Sequence, residues 1–148
     1  MPGVVYDTSV FIAYKPASFP AGFFMSAVVI QELAAGAKDK FDLQELDGLR
    51  RDYETQGRLL VPTDEDWWLA GKVLNSSLRG LESRRGGWTP KLPAAGKQRI
   101  IRDVLIARTA RRAGALLVTD DVSDFKLISR SCAVRVAPGR QYFKSQRG

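Results

Sequence analysis

Residues Val4-Val5-Tyr6 form an apolar run without polar alternation, and the run ends abruptly on Asp7-Thr8-Ser9. β-Branched and aromatic side chains favour a strand. A strand with no polar face is covered on both sides, as in a parallel sheet packed between helices. Ligands of such sheets bind beyond the carboxyl ends of the strands. Asp7 therefore stands either at the mouth of a site or as the cap of the next helix, a common role for these residue types. The pattern recurs near the other end of the chain, where Ala115-Leu116-Leu117-Val118 runs into Thr119-Asp120-Asp121.

Between these strands the spacing alternates helices with short strands, as one α/β domain spanning 1–148 requires. Phe11 to Lys15 reads as a short helix or turn ended by Pro16, and Phe23 to Met25 as a second strand. Ser26 is placed to cap a helix over 27–35 that Gly36 closes. Leu43, Leu46, Leu49 and Tyr53 recur at helical spacing over 42–56. Leu59 to Val61 reads as a third strand. Asp64-Glu65-Asp66 then opens a helix predicted to bury Trp67 or Trp68, Leu69, Val73 and Leu74, and to fray near Arg79. Residues 84–97 read as a basic Gly/Pro-rich insertion. Trp88 within it would stack on a base or pack down on the domain. Gly96 to Gly114 is apolar on nearly all sides and predicts a buried helix. Cys132 to Val136 reads as the last strand and 138–148 as a basic tail.

Charge and composition narrow the chemistry. The formal charge of +7 is uneven, because residues 79–112 hold 10 Lys/Arg against 2 Asp/Glu. In that stretch arginine outnumbers lysine 8 to 2. Such a segment suits nucleic acid or an acidic protein, or serves as a solvated basic face. The chain has no histidine, which removes the commonest general base and metal ligand together. Hydrolytic chemistry would then run through carboxylates and a hard cation. A single cysteine cannot form an internal disulfide. No apolar run approaches the roughly 20 residues of a membrane span. The expectation is a soluble, cytoplasmic protein with no membrane partner.

Four segments carry acids suited to one site. Asp7 and Asp121 follow two buried strands, Glu32 lies on a helix with an apolar opposite face, and Asp103 is the lone acid of the buried helix. A buried carboxylate is costly unless it is paired or binds a metal. Asp103 therefore implies either a metal or an ion pair with Arg99 or Arg102. Clustered carboxylates repel one another, and Mg²⁺ or Mn²⁺ relieves that repulsion through hard oxygen ligands.

Asp7-Thr8-Ser9 after a strand, Ser26 with Glu32-Leu33, Asp103-x-Leu105-Ile106-Ala107 and Thr119-x-Asp121-x-x-Asp124-Phe125 together resemble the PIN domain. In size the chain is similar to the VapC-type toxins of toxin–antitoxin pairs. The resemblance implies a three-layer α/β/α sandwich on a central parallel sheet, and Mg²⁺- or Mn²⁺-dependent endoribonuclease activity. It implies Asp7, Glu32 and Asp103 as the acidic triad and Asp121 as a fourth acid. Asp124, and Asp120 beside Asp121, remain alternatives for that fourth place. Ser9 and Thr119 would orient water or metal through their hydroxyls. Arg102, Arg108, Arg84 and Arg85 would contact RNA or an antitoxin. An RNA substrate, a cognate antitoxin and a homodimer are the implied partners. A non-catalytic RNA-binding or scaffold module of the same fold is the alternative. A phosphoacceptor switch fits less well, because the third strand ends in Val61-Pro62-Thr63 with no acceptor aspartate.

Overall fold

Val4–Tyr6 forms β1, and its partner in the sheet lies more than a hundred residues away: β4, Leu116–Thr119, pairs with it in parallel, with Val5 opposite Leu117. The computed structural model describes residues 3–84 and 93–146, without the side chains of 80–84. Strand β5, Val136–Pro138, pairs in parallel with the far side of β4, giving the order β1-β4-β5. On the other side of β1, Met25–Ser26 (β2) pairs in parallel with Leu59–Leu60 (β3). This second pair is tied to β1 by the Phe24 amide, which donates to the Val4 carbonyl at 2.8 Å, and by a parallel bridge to Val5.

Strand side chains point to opposite faces at alternate positions, and β1 and β4 show what this does. Val5 and Leu117 enter one core with α2 (Ala27–Ala35), α4 (Asp64–Arg84) and α5 (Ala94–Arg112). Tyr6 and Val118 enter a second core with Val10, Phe19 and Phe143. That core is covered by α1 (Thr8–Ala13) and α7 (Gly139–Gln146). Two cores divided by one sheet make three layers, a mixed α/β fold with a central parallel sheet between helices. Helix α3 (Lys40–Thr55) packs on α2, and α6 (Val122–Leu127) follows β4. No helix among the described residues is long and apolar enough to cross a membrane.

Several expectations hold. The Ser26 hydroxyl accepts from the Val29 amide at 3.3 Å, and Gly36 ends α2. Others need correction. Trp67 and Trp68 are not core residues; they are 56% and 72% exposed, while Ala70 and Val73 on the same helix are buried. Helix α4 does not fray at Arg79 but continues to Arg84, and Ala94–Lys97 belongs to α5 rather than to an insertion. Of the expected insertion, residues 85–92 lie outside the described residues, with Arg85 and Trp88 among them; the Arg84 side chain does too. The last strand starts at Val136, not Cys132, and Cys132 is buried ahead of it. The basic tail is a docked helix. Phe143 of α7 stacks on Tyr6 at 5.8 Å and on Phe19 at 5.2 Å, burial that the spread of basic residues concealed.

Candidate active site

Asp7 caps a helix and also meets the loop after β4. It occupies the N-cap position of α1, and its Oδ1 accepts from the Thr8 amide at 2.8 Å. Its Oδ2 accepts from the Thr119 hydroxyl at 2.8 Å and the Ser9 hydroxyl at 3.3 Å. These two hydroxyls join the loops after the sheet's central strands. Thr119 Oγ1 also accepts from the Asp121 amide at 2.9 Å, and Ser9 Oγ from the Asp120 amide at 3.2 Å. The network exists because β1 and β4 run parallel and end together, bringing both hydroxyl–acid segments to one edge.

Glu32 reaches this edge from α2. The Thr8 hydroxyl donates to its Oε1 at 2.9 Å, and Arg102 Nη1 donates to its Oε2 at 2.8 Å. Arg102 also binds its sequence neighbour, with Nε and Nη2 each 3.3 Å from Asp103 Oδ1. Asp7, Glu32 and Asp103 are thus linked through Thr8 and Arg102, from three segments far apart in the chain. Asp121 and Asp124 stand at the margin as negative neighbours, Asp121 of Asp7 and Asp124 of Asp103. Asp120 turns elsewhere, its Oδ1 accepting from the Tyr14 hydroxyl at 3.2 Å.

One arginine stands among three carboxylates and binds two of them, and the imbalance appears in the proton affinities of Asp7 and Asp103. Burial pushes Asp103 up from 3.8 to about 7; Arg102 opposes the shift, while the charges of Asp7 and Asp124 add to it. Burial raises Asp7 too, against the hydrogen bonds from Thr119 and Thr8 and the charge of Arg102. Arg102 behaves in the complementary way. Its burial favours the neutral form, but Asp103 and Glu32 outweigh that and raise its pKa. The site is short of positive charge.

This bears on whether a metal would fit. Among the described residues, no three acids, cysteines or histidines are gathered closely enough to enclose an ion with the side chains as they stand. The donors are nevertheless all hard oxygens with unbalanced negative charge, the chemistry that Mg²⁺ or Mn²⁺ requires. Arg102 takes the place of a cation between Glu32 and Asp103, and a metal there would require it to release at least one of them.

The sequence pattern indicated Asp7, Glu32, Asp103, Ser9 and Thr119, and all five are joined here by direct or shared hydrogen bonds. It did not indicate Thr8 as the support of Glu32. Arg108, expected to face RNA or an antitoxin, donates instead to Asp66 at 3.2 Å. Asp66 was the other omission, a fully buried acid held by Arg108 and Arg112. The spacing Thr63-x-x-Asp66 was its available signal, since the Thr63 amide donates to Asp66 Oδ2 at 2.9 Å and the Asp66 amide returns to Thr63 Oγ1 at 3.3 Å.

No family model matches the chain, and no curated protein does. Solved structures do match it. A chain of VapBC-1 from nontypeable Haemophilus influenzae is similar at 19% identity and a TM-score of 0.53, covering 93% of this chain and 98% of that one. A chain of FitAB, in a structure bound to an IR36 DNA fragment, is similar at 16% identity and a TM-score of 0.51, covering 92% of this chain and 94% of that one. At these identities the likeness is one of fold, and it extends over nearly the whole length of each chain.

Proposed function

We propose that this chain is a metal-dependent endoribonuclease and the toxin of a toxin–antitoxin pair. The observation that carries the reading is the linkage of Asp7, Glu32 and Asp103 through Thr8 and Arg102 at the carboxyl edge of the parallel sheet. The fold shared with VapBC-1 and FitAB, both toxin–antitoxin assemblies, supports it. Asp7, Glu32 and Asp103 would hold Mg²⁺ or Mn²⁺, with Asp121 and Asp124 as the next acids out. When bound, the ion supplies phosphoryl polarisation and an activated water. The protein's own part is positional. Thr119, Ser9 and the Thr8 amide fix the Asp7 carboxylate, the Thr8 hydroxyl fixes Glu32, and Arg102 neutralises the pocket. A cognate antitoxin and a homodimer belong to the same reading.

RNA incubated with Mg²⁺ or Mn²⁺ is the test. Cleavage is expected from the wild-type chain and should fall at least about 100-fold in Asp7→Asn and Asp103→Asn, with circular dichroism unchanged. Cleavage by both variants at the wild-type rate would defeat the proposal. One observation favours a second reading, a non-catalytic RNA-binding module: Arg102 already neutralises two of the three acids. Salt-sensitive RNA binding with no cleavage in any divalent metal would establish that reading instead.

A further inference from the structure

An open cleft of about 470 Å³ lies between α2, α4 and α5, within the size range of small-ligand sites. Its polar and aromatic lining is Gln31, Glu32, Trp67, Gln98, Arg99 and Arg102. Glu32 and Arg102 are also members of the acidic site, so the two spaces share a wall. Arg99 and Arg102 stand one turn apart on α5, on the same side of the helix. Across from them, Trp67 comes from the first turns of α4 with more than half of its surface open to solvent.

We propose that this cleft is a nucleobase subsite for an unpaired nucleotide of RNA, with Trp67 as the stacking platform and Arg99 as the phosphate contact beside the acids. The inference rests on the nuclease reading for its substrate class, but it concerns how the RNA is held. An indole offers a π-face to any base, and stacking of this kind holds single strands without sequence preference. Arginine suits the accompanying phosphate, and the Gln31 and Gln98 amides offer both donors and acceptors to base edges. Val28, Ala95, Ile101 and Leu105 complete the lining, suited to the flat face of a base, while a docking protein helix would have to cover two arginines and two amides as well. A base in the cleft places its own sugar–phosphate next to Glu32 and Arg102, because those residues form the boundary. Duplex RNA cannot reach this position, since its bases are paired and stacked.

Trp67 can be observed directly. In a Trp68→Phe, Trp88→Phe protein it is the sole tryptophan, because the chain has three. Titration with a single-stranded RNA of about ten nucleotides, in EDTA so that cleavage cannot intervene, should quench its emission. Trp67→Ala should weaken the affinity about 5- to 150-fold, and Trp67→Phe should retain most of it. Trp68→Ala, whose side chain does not line the cleft, should bind as the wild type does. Unchanged RNA affinity in Trp67→Ala would overturn the proposal, as would equal quenching by duplex RNA. Co-expression with the product of the adjacent reading frame is the competing case. If Trp67→Ala abolishes that complex and leaves RNA affinity intact, the cleft belongs to a protein partner. The two readings fail separately. Trp67-dependent binding without cleavage in Mg²⁺ or Mn²⁺ defeats the nuclease and leaves the subsite, whereas cleavage with unaltered binding in Trp67→Ala defeats only the subsite. A wild-type chain that binds no RNA defeats both.

Discussion

Helix α5 contributes to two buried carboxylate–arginine clusters of opposite charge balance. Toward its C-terminal end, Arg108 and Arg112 both bind Asp66, with Arg112 Nη2 2.6 Å from Asp66 Oδ2. Two cations and the Thr63 amide serve one acid, and its pKa falls. Burial by itself would raise that pKa, but Arg112, the Thr63 amide and Arg108 together outweigh it. Nearer the middle of the helix the ratio is reversed. Arg102 alone faces Asp103 and Glu32, with Asp7 close enough to feel its charge, and Asp103 rises to about 7. Each cluster removes charge from water at a cost of several kcal/mol per ion. Only the first returns that cost within the folded chain. A cluster with cations to spare fastens α4 to α5, while a cluster with acids to spare leaves Asp7 and Asp103 with raised proton affinity.

The contrast predicts that the first cluster governs stability. Asp66→Ala would leave two arginines without their acid and remove one half of the α4 cap, a loss of about 3 kcal/mol. Thermal or urea denaturation measures it. Asp103→Asn should cost less than about 1 kcal/mol, because it removes a charge that the fold already holds at a disadvantage. If the two variants were equally destabilised, the distinction between clusters would collapse.

Removing Arg102 tests the shortage of positive charge. Arg102→Gln should increase Mn²⁺ affinity roughly tenfold, about one pKa unit's worth of interaction, because the resident cation no longer competes. Calorimetric titration of the apo protein reads this without any assay of cleavage. Weaker Mn²⁺ binding in the variant would mean that Arg102 supports the metal rather than taking its place.

The smallest effect is the pH dependence. Between its ordinary value of 3.8 and about 7, Asp103 holds a proton in the folded chain that the unfolded chain lacks. Its contribution to stability therefore falls as pH rises through that window. Asp66 has the opposite sign. Its pKa is lowered, so its contribution is present above the ordinary carboxylate value and is lost as pH falls through the folded one. The stability difference between wild type and Asp103→Asn, followed from pH 4 to pH 8, should move against the wild type. A flat difference would show that Asp103 is not raised.

The residues that were legible in the sequence carry a local signature. A run such as Val4-Val5-Tyr6 ending in Asp7 announces a buried strand and an acid at its end, and Leu116 to Asp121 repeats it. Ser26 and Gly36 bracket α2 through short-range hydrogen bonds, which spacing alone can anticipate. Failures came where burial depends on a distant partner. Trp67 or Trp68 read as core because each is large and apolar, yet α4 turns Ala70 and Val73 inward and leaves both indoles more than half exposed. The tail read only as a basic segment, yet Phe143 fills an aromatic core built from Tyr6 and Phe19, more than 120 residues earlier in the chain.

By itself the sequence determined the class of fold and, through the lack of histidine, that acid–base chemistry would fall to other side chains; it also picked out the acids that the fold gathers at one sheet edge. Periodicity and residue type are properties of neighbouring positions, and they survive in a linear reading. Only the tertiary structure decided how charge is shared. Arg102 could have served RNA, an antitoxin or its neighbour Asp103; pairing of β1 with β4 brought Asp7 near it, and the tie of the β2 segment to β1 brought Glu32 on α2 within its reach. Arg108, six residues further along α5, met Asp66 instead and became part of the frame. Electrostatic roles depend on distances through space, and those distances are set when the sheet closes.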